Sequence, residues 1–220
     1  IFYVGKRLEL IKANKQAVNF EKIVKVALDN NEKMFVVTAN PETLMTGLRD
    51  DEFNELLTDD SVTIVPDGIG VVKAAEILGI ECSGKITGVD LASFLLKTAD
   101  KEKKSMYLFG AKEEVLKKLV HKIETNYPNI ILLGSKNGYT KDKDKVFNEI
   151  ISMKPDIVLV ALGIPMQEFL INKHFEKADK GIFVGVGGSF DVLSGSKKRA
   201  PQYFINHNIE WLYRIATEPT

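Results

Sequence analysis

Short apolar runs alternate with longer stretches of helical spacing along most of the chain. The runs predict six buried strands, at 33–38, 61–66, 105–110, 129–134, 156–161 and 181–186. The stretches between them have apolar residues every three or four positions and lysine-rich outer faces, which predicts helices at 14–30, 69–79, 90–99, 112–126, 142–152 and 166–178. Strands that are apolar on both faces and alternate with helices are typical of a parallel sheet covered on both sides. We therefore predict a single α/β domain, Rossmann-like and doubly wound, with about six parallel strands.

The two ends of the chain depart from this pattern. Residues 2–10 read as extended chain, either a small hairpin or an edge strand. Near the other end, apolar residues gather on one side of a predicted amphipathic helix, namely Tyr203, Phe204, Ile209, Trp211, Leu212 and Ile215. We divide the chain into a Rossmann-like domain, 1–195, and a C-terminal helical appendage, 196–220, which we expect to be truncated at Thr220. The helix could dock on its own domain, a subunit partner or a membrane.

Composition narrows the class of protein. The chain has 220 residues, of which 45% are hydrophobic, and its thirty basic side chains balance thirty acidic ones. That balance lacks the broad positive field of a nucleic-acid-binding protein, so we expect no nucleic-acid partner. Cys82 is the single cysteine, which favours a reducing cytoplasm. No apolar run approaches the roughly 20 residues that cross a bilayer, although peripheral membrane contact stays open.

The loops that follow parallel strands lie at one edge of a sheet, where ligands of open α/β folds bind. Asp67 follows the second strand, so we expect its carboxylate at this edge, with capping of the helix near Ile69 as the alternative. Asn40, two residues after Thr38, could cap a helix, contact a ligand, or do both. Gln167 and Glu168 fall in the first turn of a predicted helix after Pro165. The Gln167 amide could form a hydrogen bond with a sugar hydroxyl. The Glu168 carboxylate is stabilised by the helix dipole there even without a ligand.

Several familiar site patterns are missing. Glycines in DGIGVVK and GVGGSFD let phosphates approach the backbone, but neither stretch matches G-x-G-x-x-G, and FGAKEE lacks the Walker lysine. An NAD-dependent oxidoreductase therefore remains only an alternative. Asp142 and Asp144 form a DxD pair, which we discount as a cation site because lysines interleave with it. The three histidines lack metal-ligand spacing. We predict no metal and no cofactor.

Six motifs together point to one family. TANPETLM, PDGIGVVKAAEILG, ITGVDL, LGIPMQE, GVGGSFDVLSG and KKRAP, in this order over nearly the whole chain, resemble the WecG/TagA/CpsF family, glycosyltransferase family 26. The resemblance implies a metal-independent, inverting transfer of N-acetylmannosamine from its UDP conjugate to the 4-hydroxyl of N-acetylglucosamine on undecaprenyl diphosphate, in wall teichoic acid synthesis. Use of another UDP-sugar, and a nucleotide-binding module without catalysis, remain alternatives.

The resemblance also implies roles for single residues. Asp67 matches the proposed base, with Thr38, Asn40 and Gln167 as sugar or acceptor contacts. A helix N-terminus would keep Asp67 ionised and weakly basic, whereas burial would oppose this, and the sequence leaves the balance open. The remaining substrate contacts are expected at Gly68, Lys85, Gly110, Ala111, Tyr139, Glu168, Gly187, Gly188 and Asp191. Tyr139 could stack on the uracil or be a core residue.

Basic residues near the C-terminus complete the predicted site. We expect Arg199 and Arg214, beside Lys197 and Lys198, to bring positive charge to the diphosphate at a membrane surface or across a subunit interface. The predicted partners are a UDP-sugar donor, the polyprenyl-diphosphate-linked acceptor, the membrane surface and, as a possibility, a second copy of the chain. The expected location is cytoplasmic, on the inner face of the cell membrane.

Overall fold

The computed structural model describes residues 20–79, 84–207, 210 and 213, and these form one sheet of six parallel strands with helices on both faces. The strands are β1 Lys33–Ala39, β2 Val62–Pro66, β3 Ser105–Gly110, β4 Ile131–Lys136, β5 Ile157–Ala161 and β6 Gly181–Gly185. Their spatial order is β2-β1-β6-β5-β3-β4. The predicted α/β class and six-stranded parallel sheet are confirmed. β4 begins two residues later than predicted and lies at an edge of the sheet, where Ile131 is exposed.

Helices follow or precede each strand. They are α1 Phe20–Asn30, α2 Pro41–Arg49, α3 Asp51–Thr58, α4 Ile69–Ile77, α5 Gly88–Glu102, α6 Glu113–Asn126, α7 Lys143–Ser152, α8 Met166–Phe175, α9 Ser189–Leu193 and α10 Gln202–Asn206. The helical spacing of apolar residues did not mark α2 and α3, although a helix capped by Asn40 was one of the predicted alternatives. They are two short helices separated by Asp50, whose extended backbone ends α2 and whose side chain accepts a hydrogen bond from the Phe53 amide at 3.0 Å to start α3.

Each face of the sheet has its own hydrophobic core because side chains alternate along a strand. Phe35 and Val37 of β1 pack in the core that contains residues of α3, α4, α7 and α8. Met34 and Val36 of the same strand pack in the opposite core, with residues of α1, α5, α6 and α9. This arrangement is the doubly wound fold that the sequence predicted.

The crossover pattern determines where a ligand can bind. β1 and β6 are neighbours in the sheet. The chain leaves β1 towards α2 and α3 on one face, and it leaves β6 towards α9 on the other. Adjacent strands whose connections diverge to opposite faces open a crevice at their carboxyl ends. The fold therefore predicts a binding site at the ends of β1 and β6.

Parts of both predicted ends lie outside the described residues. These include the predicted extended segment 2–10, Arg214, and most of the apolar residues assigned to the C-terminal helix. Cys82, in the middle of the chain, also lies outside the described residues. The described part does not clearly show the predicted C-terminal helix: it contains the five-residue α10, which ends at Asn206 and has no buried residue, and the helical residues Glu210 and Tyr213; Tyr203 is 63% exposed. None of the helices described is both long enough and apolar enough to span a membrane.

Candidate active site

A cavity of about 410 Å³ opens at the carboxyl edge of the sheet, where the crossover pattern predicts it. Its size is within the range of small-molecule sites. The site residues predicted from sequence that line it are Thr38, Asn40, Asp67, Gln167, Gly187, Gly188 and Arg199. They come from the ends of β1, β2, β5 and β6 and from the segment after α9. The sheet therefore brings together most of the residues predicted for the catalytic part of the site.

Asp67 lies directly after β2, and its carboxylate reaches a helix other than the one that follows it. Its Oδ2 accepts a hydrogen bond from the backbone N–H of Gly88, the first residue of α5, at 3.2 Å. The next helix, α4, begins at Ile69 with Gly68 as its N-cap and has no side-chain capping bond. Capping of the helix at Ile69 by Asp67 stays a prediction beside this contact with α5. Gly68 has a φ of 98°, which only glycine adopts readily.

Thr38 and Asn40 hold the end of β1 in place. Thr38 is buried, and its hydroxyl donates to the Gly185 carbonyl oxygen of β6 at 3.1 Å. Asn40 is the N-cap of α2, where its Oδ1 accepts from the Thr43 amide at 2.8 Å and the Thr43 hydroxyl accepts from the Asn40 amide at 3.3 Å. The capping role of Asn40 is confirmed. Its contact with a ligand stays a prediction, which its place on the cavity wall allows.

Gln167 joins two loops of the cavity. Its side chain is buried, and its Oε1 accepts from the Gly187 amide at 3.0 Å and from the Gly163 amide at 3.3 Å. Its Nε2 donates to Glu168 Oε1 at 2.7 Å. The amide that was predicted to contact a sugar thus makes three hydrogen bonds within the protein. A direct sugar contact by Gln167 stays a prediction, and its structural work is to shape the cavity.

Glu168 lies beside Gln167 and is not among the described residues that line the cavity. It is 1% exposed, and burial raises the pKa of its carboxyl group to about 7, against the opposing effect of the hydrogen bond from Gln167. Its Oε2 is buried and has no hydrogen-bond partner among the described residues. Such an oxygen is uncommon in folded proteins. The substrate contact predicted for Glu168 is untested, and its position is behind the wall of the cavity.

Arg199 anchors the segment after α9 to the start of α5. Its Nη1 and Nη2 contact the two carboxylate oxygens of Asp90 at 2.7 Å and 2.9 Å, and its Nε lies 3.8 Å from Glu210 Oε1. The hydrogen bond to Asp90 raises the pKa of Arg199, with smaller contributions from Glu210 and Asp67. Burial by itself would raise the pKa of Asp90, but hydrogen bonds from Arg199 and Thr87 lower it. The guanidinium is thus held on the cavity wall by a two-point ion pair.

The start of α5 contributes residues that the sequence reasoning missed. Thr87 caps the helix by accepting from the Asp90 amide at 3.2 Å, and its hydroxyl donates to Asp90 Oδ2 at 2.6 Å. Gly88 packs closely, because a Cβ there would lie 3.0 Å from the Ser189 hydroxyl oxygen. The sequence did contain a pattern that indicates this helix start, because the Thr-x-x-Asp spacing in ITGVDL is similar to a helix capping box.

The residues predicted for the far end of the nucleotide lie farther along the same edge, and they do not line the cavity within the described chain. Gly110 has a φ of 130°, and a Cβ there would lie 2.2 Å from the Ala161 carbonyl oxygen. Ala111 donates its amide to that same oxygen at 2.8 Å. Tyr139 is 73% exposed, so the alternative of a core tyrosine is wrong. Its stacking on a base stays a prediction.

Three other predicted contacts have separate surroundings. Lys85 is half-buried and helps to lower the pKa of Asp90, which places it near the start of α5. Asp191 is half-buried in α9, where its backbone oxygen accepts from the Lys197 amide at 2.8 Å. Gly68 caps α4 as described above. Their substrate contacts are untested.

The DxD pair has structural partners. Asp142 is the N-cap of α7, with Oδ1 accepting from the Lys145 amide at 2.8 Å. Asp144 pairs with Lys173 at 2.9 Å and with His174 Nε2 at 2.7 Å. Both carboxylates are thus engaged in the contact between α7 and α8 or in the start of α7. Within residues 20–79, 84–207, 210 and 213, no group of three or more His, Cys, Asp or Glu residues is arranged to hold a metal ion.

Comparison with known proteins gives consistent matches. The family profile of the glycosyl transferase WecG/TagA/CpsF family matches residues 8–220. The N-acetylglucosaminyldiphosphoundecaprenol N-acetyl-beta-D-mannosaminyltransferase of Bacillus spizizenii is 40% identical over 192 residues, which are 87% of this chain and 74% of the relative. The enzymes of the same name from Bacillus subtilis and Staphylococcus aureus are 39% and 37% identical, over 87% and 86% of this chain and 75% and 74% of their own lengths.

Proposed function

The chain belongs to the WecG/TagA/CpsF family of glycosyltransferases, and from that premise we propose that it transfers N-acetylmannosamine from UDP-N-acetylmannosamine to the 4-hydroxyl of N-acetylglucosamine on undecaprenyl diphosphate. Relatives named for the transfer of N-acetyl-beta-D-mannosamine to N-acetylglucosaminyldiphosphoundecaprenol support the acceptor and the transferred sugar. This reaction would be a committed step in the synthesis of the wall teichoic acid linkage unit.

One observation carries the proposal. Asp67 shares its cavity with Lys197, Lys198 and Arg199. A glycosyl transfer from a nucleotide sugar needs a base for the acceptor hydroxyl and positive charge for the departing diphosphate. Glu42 and Glu210 also line this cavity, and a site that holds the Asp67 carboxylate together with three cationic side chains supplies both requirements.

The proposed step is a direct displacement with Asp67 as the general base. The 4-hydroxyl oxygen of the acceptor forms a bond to the anomeric carbon while the bond from that carbon to the β-phosphate oxygen breaks. The hydroxyl proton moves to the Asp67 carboxylate, and UDP leaves with the electron pair. Because attack and departure take place on opposite faces of the sugar, the anomeric configuration is inverted. The Gly88 N–H bond fixes the direction of the Asp67 carboxylate.

The diphosphate charge is met by the protein in this proposal. Lys197 and Lys198 line the same cavity as Gly187 and Gly188, whose backbone can approach a phosphate closely. The nucleoside end of UDP then extends along the sheet edge, past β5, towards Gly110, Ala111 and Tyr139. A reaction arranged in this way needs no divalent cation.

The membrane-bound acceptor makes the location of the enzyme part of the proposal. An acceptor on a polyprenyl diphosphate is presented at the surface of a bilayer, so we place the protein on the inner face of the cell membrane. The segment from residue 196 onward, treated as an appendage to a domain of residues 1–195, is the proposed membrane-facing part. Removal of residues 201–220 should reduce binding to vesicles that contain anionic lipid; equal binding would refute this placement.

Membership of a glycosyltransferase family leaves the oxidoreductase alternative without support. The choice of donor is the finer alternative, and a transfer assay decides it. Purified protein is incubated with a short-chain polyprenyl-diphosphate N-acetylglucosamine and a panel of UDP-sugars, with and without EDTA. We expect disaccharide-lipid product from UDP-N-acetylmannosamine, in equal yield with EDTA, and an inverted linkage by NMR. Faster transfer from another UDP-sugar would refute UDP-N-acetylmannosamine as the preferred donor. Loss of product with EDTA would refute the proposal that the reaction needs no metal ion.

A further inference from the structure

Glu168 is a buried carboxyl group that no step of the proposed reaction uses. It is 1% exposed, and its Oε1 accepts a hydrogen bond from Gln167 Nε2 at 2.7 Å. Among the described residues, no cation influences its protonation, which depends on burial, on Gln167 and on its own backbone amide. A carboxyl group buried without a cation costs stability. Its presence next to the cavity wall therefore calls for a compensating role.

The partners of Gln167 allow only one orientation of its amide. The side-chain oxygen faces two backbone donors, the amides of Gly163 and Gly187, at 3.3 Å and 3.0 Å. If the amide were reversed, its NH₂ group would face those two N–H groups and its oxygen would face the Glu168 oxygen. The contacts with the two N–H groups would then be repulsive, and so would the contact with Glu168 whenever its carboxyl group is ionised. In the observed orientation, the Glu168 carboxyl group accepts the hydrogen bond that the Gln167 NH₂ group donates.

The Gln167 oxygen joins two loops that each contain a glycine with a positive φ. Gly163 lies between β5 and α8 and has a φ of 84°; Gly187 lies between β6 and α9 and has a φ of 49°. Both glycines line the cavity. Glycine loops are flexible because of their wide range of backbone angles. A shared oxygen that accepts from both loops restrains them relative to each other.

The side chains of Gln167 and Glu168 pack on strand β6. A Cβ at Gly185 would lie 2.7 Å from Gln167 Nε2 and 3.0 Å from Glu168 Oε1, so both side chains pack directly on the backbone of that glycine. The carbonyl oxygen of Gly185 accepts from the Thr38 hydroxyl at 3.1 Å. The contacts therefore run from Glu168 through Gln167 and β6 to Thr38 at the end of β1.

We propose that Glu168 is a positioning residue: its buried carboxyl group holds the Gln167 amide in the orientation that ties the Gly163 and Gly187 loops together, and so fixes one side of the sugar cavity. A hydrogen bond to a carboxylate is roughly twice as strong as one between neutral groups. The pull on the amide N–H also makes the amide oxygen a better acceptor. The kinetic part of this inference rests on the proposed function, and its structural part does not.

Two substitutions separate the acceptor from the bulk of the side chain. Glu168→Gln keeps an oxygen that can accept from Gln167, and Glu168→Met keeps the length of the side chain without that oxygen. Amide hydrogen exchange is measured by NMR on the full chain. In Glu168→Met we expect exchange at Gly163 and Gly187 to be at least about tenfold faster than in the wild type, with no change at Ile182 and Val184 of β6. In Glu168→Gln both loop amides keep their protection.

Kinetics test whether Glu168 acts through Gln167. We expect Glu168→Met to raise the KM for the sugar donor about tenfold and to lower kcat, while Glu168→Gln stays within about threefold of the wild type. Gln167→Met and the double variant Gln167→Met/Glu168→Met should be equally impaired, because residues that act as one unit have non-additive effects. The control is Glu149→Met, an exposed glutamate of α7, with wild-type kinetics expected.

Each outcome bears on the proposal. Wild-type protection of both loop amides in Glu168→Met, equal kinetic losses in Glu168→Gln and Glu168→Met, or additive losses in the double variant would overturn it. If Glu168→Met does not fold, Gln167→Met gives the structural test, because protected amides at Gly163 and Gly187 in that variant would also overturn it. The exchange measurement needs no sugar donor, so a failure of the proposed transferase reaction would leave this readout intact and would be recognised separately.

Discussion

The Asp67 carboxylate accepts a hydrogen bond from the backbone N–H of Gly88, across 21 residues of sequence and 3.2 Å of space. The bond joins the end of β2 to the first residue of α5. This contact ties Asp67 to a helix on the opposite face of the sheet from the helix that follows it. A carboxylate held in this way at a cavity can accept a proton without first reorganising.

The replacement of Asp67 by Asn tests its role as the base. Asparagine has nearly the same shape and keeps an oxygen for the Gly88 N–H, but it cannot accept the proton of the acceptor hydroxyl. We expect kcat to fall by roughly 10²- to 10⁴-fold while UDP binding, measured by calorimetry, is retained. Asp60→Asn, at an exposed aspartate before β2, is the matched control. Near-normal turnover in Asp67→Asn would show that the carboxylate only positions the substrate or the start of α5.

Gly185→Ala tests how tightly Gln167 and Glu168 pack on β6. The added methyl group would lie 2.7 Å from Gln167 Nε2, so the Gln167 side chain must move. We expect unfolding by urea to show a loss of about 1–3 kcal/mol, as for overpacked cores, together with a lower kcat/KM. Gly70→Ala, in α4, is the control because its Cβ would make only an ordinary contact with Pro41 at 3.4 Å. Unchanged stability and activity in Gly185→Ala would contradict the packing argument.

Asp90→Asn tests the anchor of the segment after α9. Asparagine keeps one oxygen that can accept from Arg199 but turns an NH₂ group towards the other guanidinium nitrogen, so the two-point ion pair is lost and residues 197–199 should leave the wall of the cavity more often. We expect trypsin to cleave after Lys197, Lys198 and Arg199 several times faster than in the wild type, as followed by mass spectrometry. Asp29→Asn, at an exposed position in α1, should cleave at the wild-type rate. Equal cleavage in both variants would mean that Asp90 does not anchor the segment.

The raised pKa of Glu168 gives a prediction about pH. Its folded pKa is about 7, against an ordinary value of 4.5, so the folded state binds more protons than the unfolded state between these values. The contribution of Glu168 to stability is therefore greatest at acid pH and is lost as the pH rises through about 7, by an amount on the order of 1–3 kcal/mol. Glu168→Gln should remove this loss.

Urea unfolding of both proteins at pH 5 and pH 8 measures this effect. Relative to the wild type, Glu168→Gln should gain stability on going from pH 5 to pH 8. The same difference between the two proteins at both pH values would contradict a raised pKa for this group.

The sequence predicted the sheet and the edge that bears the site, because each strand is an apolar run and parallel strands place their following loops together. It marked a possible helix start at Asn40, but it gave neither the bounds of α2 nor the separate helix α3, because the break between them depends on the capping bond of Asp50. The partner of Asp67 was also beyond the sequence, since it depends on where α5 starts in space. Similarly, the sequence predicted that the Gln167 amide contacts a sugar. The folded structure shows that it forms hydrogen bonds with the Gly163 and Gly187 loops and with Glu168.

Strand β6 is the last along the chain of the six strands in the described residues, yet it lies between β1 and β5 in the sheet. Without it, the remaining strands would form two separate pieces, β2-β1 and β5-β3-β4, each with an extra unpaired edge. During synthesis, a chain that has not yet reached residue 181 therefore has neither a continuous sheet nor the Gly187 loop of the cavity. An unfinished chain exposes edges that can pair with other molecules, and the site comes into existence only when the last strand inserts.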